Sequence, residues 1–271
     1  MSGNIKSDEY LFFFKLYNAF LQIDSVASMV YGRNRELIKK FFNVYLKIAN
    51  NDNALEESKN DLKIAFEEYV KLMLHLYNKD TMAQHSTYPH VLNNPNITEA
   101  FREFAEAVEK YQKWRLSLTP HDIKTIYIAN LNDRHKYYTN KPFDTEININ
   151  IDTQTMQNNQ ILKQSIIEFH NAISHLNSIF FTTRELNKQK AINHFIRGSL
   201  DSYKAIIKDY FCLLNDDKKV ECSHFDKVKA LRQKEYGIIG SDNKNKVLQE
   251  YKLIASDMIN EKNKAINTNN T

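Results

Sequence analysis

Glycine and proline are scarce in this chain: there are 5 and 4 of them in 271 residues. An architecture of many short strands needs a turn roughly every ten residues, most of them built on Gly or Pro. That supply is missing, whereas a few long helices joined by Asn- and Asp-rich connections need little of either. Cysteine is nearly absent as well, with only Cys212 and Cys222, and the opening residues Met1–Tyr10 contain no basic stretch leading into an apolar core. A reduced, cytoplasmic protein is therefore expected. Long hydrophobic runs are lacking: the most apolar early stretch, Tyr10–Leu21, is only about a dozen residues long and includes Lys15, too short and too polar to cross a bilayer. No charge sign dominates, since 37 Lys and Arg against 33 Asp and Glu leave +4, which permits contact with nucleic acid without requiring it. Walker, Rossmann, Ser-hydrolase and kinase signatures are absent, which argues against the common cofactor-driven enzymes, so no cofactor is expected.

What the chain does contain is helical periodicity, in the Asn-, Lys- and Ile-rich composition typical of AT-rich bacterial genomes. Ser7-Asp8-Glu9 opens a first helix whose aromatic residues Phe12, Phe13, Phe14, Tyr17 and Phe20 cover most of its circumference, as a core helix requires. A second helix is expected from about Ser25 to Ala49, with a break at Asn50-Asn51-Asp52-Asn53, and a third from Ala54 to Tyr77. A loop containing Pro89, Pro95, His85 and His90 follows, and its histidines are read as solvated rather than metal-bound. A fourth helix runs from Thr98-Glu99 to Leu118 and is stopped by Thr119-Pro120.

Between His121 and Gln154 the pattern is ambiguous. Ile123–Ile128 fits a strand or a helix, and Glu146–Asp152 alternates with a period of two, leaving room for a minimal β-hairpin near 122–152. Arg134, Lys136, Tyr137, Tyr138 and Lys141 mix basic and aromatic side chains as a single-stranded nucleic-acid contact does, although such short runs are commonly solvated loops.

The most informative stretch is Gln160–Leu214, which reads as two long helices joined through Thr182–Glu185. Leu162, Ile166, Phe169, Ile173, Leu176 and Phe180 recur at steps of four and three, and Ile192, Ile196, Ser199, Tyr203, Ile206 and Tyr210 do the same. Both are seams of the coiled-coil kind, and a short connection makes the helices antiparallel neighbours. Beside each seam runs a stripe of small and polar residues: Glu168, Ala172 and His175 on the first helix, Ala191, His194, Gly198, Asp201 and Ala205 on the second. With the turn between Arg184 and Glu185, His175 lies level with His194 and Glu168 with Asp201, and Arg197 falls between the two levels. Three uses fit such a group. It is a hydrogen-bonded network that sets helix register, with Arg197 bridging the carboxylates, or an acid/base or anion-binding site, or a metal site. The last is the poorest fit: di-metal bundles place Glu and His three apart on one helix, and here they are seven apart.

Glu168-Phe169-His170-Asn171-Ala172-Ile173-Ser174-His175-Leu176 resembles the core motif of HEPN-type helical proteins, in which an Arg, then a polar residue that is often Asn, then a His five places after the Arg occupy one bundle helix. Asn171 and His175 match it; position 170 holds His170 where the motif has Arg. The resemblance implies kinship with ribonucleases of toxin–antitoxin, CRISPR and abortive-infection systems. It implies a site completed across a homodimer and a ligand that is RNA or a nucleotide. His170 lacks the bidentate fork that grips a phosphate, so a degenerate ribonuclease is implied rather than an efficient one. The alternative is a non-enzymatic helical adaptor that binds a protein partner.

In the remaining chain, Cys222 and His224 lack two further ligands for zinc, and Gly237 and Gly240 have no phosphate-loop context. A last helix is expected over Lys244–Lys264, followed by a disordered tail from Asn267. The whole is read as an all-α, multi-helix bundle protein: an N-terminal helical bundle over 1–118, an irregular connector over 119–155, and a C-terminal helical-hairpin bundle over 156–271.

Overall fold

A computed structural model of the chain describes residues 3–30, 34–72, 94–139, 162–179, 184–214, 222–237 and 244–268. Among them the protein is all-α, and no strand is present. The helices are α1 (Gly3–Val30), α2 (Arg35–Asn50), α3 (Leu55–Leu72), α4 (Pro95–Ser117), α5 (Pro120–Thr139), α6 (Lys163–Ser178), α7 (Arg184–Cys212), α8 (Phe225–Gly237) and α9 (Lys244–Thr268). Expectations placed on His85, His90, Lys141, Glu146–Asp152 and Gly240 concern positions outside the described residues.

Four boundaries differ from the sequence reading. The second helix, expected to begin at about Ser25, begins at Arg35, because α1 continues to Val30 and the Asn34 side chain caps α2 by accepting a hydrogen bond from Leu37 N at 3.1 Å. Helix α4 begins at Pro95 rather than at Thr98, capped by the Asn94 side chain on the backbone N–H of Asn96 and Ile97. The stretch expected to be an irregular connector with a β-hairpin is α5 over its first part. Thr119 and Asp122 form a reciprocal capping box there, with Thr119 N to Asp122 Oδ2 at 3.0 Å and Asp122 N to Thr119 Oγ1 at 3.1 Å, and Pro120 sits at the first helical position. Burial disfavours the charged form of Asp122, but hydrogen bonds from Thr119 and Lys262 outweigh it and hold the carboxyl below its ordinary range. At the other end, Asn267 and Thr268, expected to open a disordered tail, belong to α9.

Two compact units form, each drawn from two stretches of chain: residues 1–105 with 166–195, and residues 106–165 with 196–271. In the first unit α2 packs on both α1 and α3. Its core is aromatic: Phe13, Tyr17 and Phe20 of α1, Phe41 of α2, Phe104 of α4, Phe169 of α6 and Phe195 of α7 are fully buried. Edge-to-face contacts link Phe42 to Phe169 at 5.0 Å and Phe101 to Phe195 at 5.4 Å, which ties α6 and the start of α7 to α2 and α4. In the second unit α8 packs on α9, and the core comprises Trp114, Tyr203, Ile206, Tyr251 and Met258. Polar pairs fasten α9 there, with Lys252 on Glu106 at 2.6 Å and Lys262 on Asp122 at 3.0 Å. No helix among the described residues is long and apolar enough to cross a membrane.

Candidate functional site

The sequence stripe on α6 and the start of α7 becomes a compact polar group inside the first unit. Glu168, Ala172 and His175 recur at four and three residues and so share one face of α6. Ala172 and Ala191 are completely buried, and their lack of bulk lets the helices come close enough for the longer side chains to meet. The rings of His175 and His194 stack with centroids 5.2 Å apart and planes 17° from parallel. Glu168 Oε2 lies 2.6 Å from Nδ1 of His194. The carboxylate is almost entirely buried, with 3% of the side chain exposed, while 18% of the His194 side chain reaches solvent.

His175 is held in a matching way by Asn187, whose Oδ1 is 3.2 Å from Nδ1. Asn187 is buried and was not among the residues expected from sequence. Its signal was its position two turns before His194, on the same face of α7. Both rings therefore use Nδ1 as the anchored nitrogen, and each anchor is an acceptor, so Nδ1 is the donor in both. Nε2 of either ring has no hydrogen-bond partner among the described residues, and neither atom is sealed from solvent. Two stacked imidazoles are thus fixed at one nitrogen and open at the other.

Partial burial lowers the pKa of His175 below its ordinary value; the Asn187 hydrogen bond opposes this, and His194 and Lys190 add to the lowering. A histidine whose folded value is depressed is stabilising above the unfolded value, near 6.5, and that contribution is lost as pH falls through the folded value. Acidification from about pH 7 to about pH 5 is therefore expected to lower the Tm of the wild type more steeply than that of His175→Asn. Thermal melts across that range check it, and parallel curves for the two proteins would dismiss the imidazole as the cause.

His170 is two residues from Glu168, a turn of about 200° around the helix. It is buried on the other side of α6, with Nδ1 2.8 Å from the Tyr17 hydroxyl and its ring beside Phe20. Asn171 is half-buried on α6. Arg197 and Asp201 belong to the second unit, the former exposed and the latter half-buried. Arg134, Lys136, Tyr137 and Tyr138 fall on the last turns of α5, so the segment is helical rather than a loop. Cys212 and Cys222 are free thiols, and among the described residues no group of three His, Cys, Asp or Glu side chains is placed to hold a metal ion. Comparison with family models, with curated proteins and with solved structures returns no match.

Proposed function

We propose that the protein contacts the phosphoester of RNA or of a nucleotide through the His175–His194 pair, as a HEPN-like helical protein whose ribonuclease activity is weak. What supports this most is the pair itself, with each Nδ1 held by a buried acceptor and each Nε2 turned to solvent. An imidazole held in one tautomer by a carboxylate is how proteins aim a proton-transferring nitrogen, and Glu168 is in position to balance positive charge on His194. His175, kept neutral by its surroundings, suits the role of base toward a ribose hydroxyl, and His194 that of acid toward the leaving oxygen. His170 faces the core and so supplies no cation to a phosphate at the pair, which is why the activity is weak. A bacterial stress or phage-defence role, a cytoplasmic location and a homodimer accompany the HEPN resemblance and are part of the same proposal.

A second reading is favoured by one observation: Glu168 and Asn187 are buried, and both hydrogen-bond a histidine, as in a network that fixes helix register in a scaffold for a protein partner. One experiment separates the two. Purified protein is incubated with total RNA and its RNA affinity measured, comparing wild type with a His175→Ala/His194→Ala double variant at equal folded concentration. The expected result is slow cleavage that disappears in the variant, with affinity reduced by about tenfold or more. Equal cleavage by both proteins would overturn the assignment. No binding by either, with a variant that melts several degrees lower, marks the group as a register device.

A further inference from the structure

The second unit contains a cavity of about 400 Å³ between α4, α5 and α7, which the histidine pair does not touch. Ile123, Ile126 and Leu162 supply apolar wall and Tyr111 and Tyr127 supply rings, while the polar groups are concentrated on α4 and α7. The innermost of them is Asp209, 7% exposed and therefore buried beyond nine-tenths. It accepts from Trp114 Nε1 at 3.3 Å and from Arg115 Nη1 at 3.5 Å. Both donors reach the same oxygen, Oδ2, at long range. Oδ1 has no donor among the described residues, yet it is not closed off, since Asp209 lines the cavity. Oδ1 is thus open to the cavity as an acceptor, and a ligand N–H can take the place of water on it. Its carboxyl is raised by desolvation, an effect that Arg115 and Trp114 only partly offset.

The charges around the cavity narrow the ligand further. Arg115 and Lys208 line it beside the single carboxylate, and Lys208 is exposed. Among the described lining residues two cations stand beside one carboxylate, which favours a molecule that combines N–H donors with a negative group. Flat aromatic walls suit a ring system, and about 400 Å³ is within the usual size of small-molecule sites. Burial and the nearby Asp209 push the Tyr111 hydroxyl up to about 12, so it remains a donor for a ring carbonyl. We propose that this cavity is a binding site for a purine nucleotide, with the guanine N1–H and N2–H₂ edge on Asp209 and the phosphate toward Lys208. This site is independent of the histidine pair and of its proposed role.

Trp114 is the only tryptophan in the chain, is fully buried and donates to Asp209, so its emission reports directly on the cavity. Guanosine monophosphate is titrated into the full-length protein with fluorescence and calorimetric detection, beside adenosine monophosphate, guanosine and inorganic phosphate. A saturable change is expected with guanosine monophosphate, about tenfold weaker with the adenine nucleotide. Asp209→Asn should weaken binding by about tenfold or more. Lys208→Ala, at an exposed position that leaves the core intact, should reduce the nucleotide to the affinity of guanosine. The proposal is overturned by absence of heat and fluorescence change with guanosine monophosphate in the wild type. It is equally overturned if inorganic phosphate reproduces the signal, if the two nucleotides bind alike, or if folded Asp209→Asn binds as the wild type does.

Discussion

Phe41→Ala is expected to destabilise the protein by about 3–5 kcal/mol, a large share of the roughly 5–15 kcal/mol that holds a typical domain together. The Phe41 ring is inaccessible to solvent and is the meeting point of three rings of α1, with Phe13 at 5.7 Å, Tyr17 at 4.9 Å and Phe20 at 5.3 Å. Removing it loses the transfer energy of the ring and opens a cavity that stiff aromatic neighbours cannot collapse into, since each is held by contacts of its own. Tyr17, for instance, also stacks on Phe13. Phe41→Leu retains part of the volume and should cost less than half as much. Urea unfolding followed by helical circular dichroism measures both variants. A loss below about 1 kcal/mol for Phe41→Ala would mean that α1 and α2 repack without it, and that the aromatic centre is not what holds this unit.

That centre was legible in the sequence because spacing dictates facing. Leu37, Phe41, Tyr45 and Ile48 recur at four, four and three residues, and all four are buried. The same reasoning applied to α6 and α7 set His175 level with His194, and in the structure their rings stack. Where the reading missed, local chemistry had been weighed below pattern. Ile123 and Ile126 are three apart, as on a helix face, and Ile126 and Ile128 two apart, as on a strand face, so periodicity cannot choose; Thr119-Pro120-His121-Asp122 does, as a capping box with proline at the first helical position. Asn94-Pro95 carries the same kind of start signal for α4. A helix start at Ser25 has no Gly or Pro before it to end the first helix, and α1 passes through that position. The site was legible in part for a related reason. Its histidines follow from helix faces, whereas the anchoring acceptors Asn187 and Glu168 are set by register across the pair, which spacing along one helix does not give.

Face also decides what becomes of the motif position at His170. His170→Arg restores the residue type that HEPN-like sequences have there, and the expected result is a loss of about 3–5 kcal/mol with no gain in RNA cleavage. The imidazole is 5% exposed, its Nδ1 lies 2.8 Å from the Tyr17 hydroxyl, and Tyr17 and Phe20 beside it are fully buried. A guanidinium brings five donors and a permanent charge into that place, beside buried rings that accept no hydrogen bond. An imidazole fits beside the hydroxyl and the rings, so the aromatic core selects histidine at 170 even though a phosphate site would select arginine. Thermal melts and the RNA cleavage assay on His170→Arg, beside Tyr17→Phe as a milder loss of the same hydrogen bond, test this directly. A stable His170→Arg protein that cleaves RNA faster than wild type would show that position 170 can leave the core and reach the face that carries His175, and the phosphate grip would then be one substitution away.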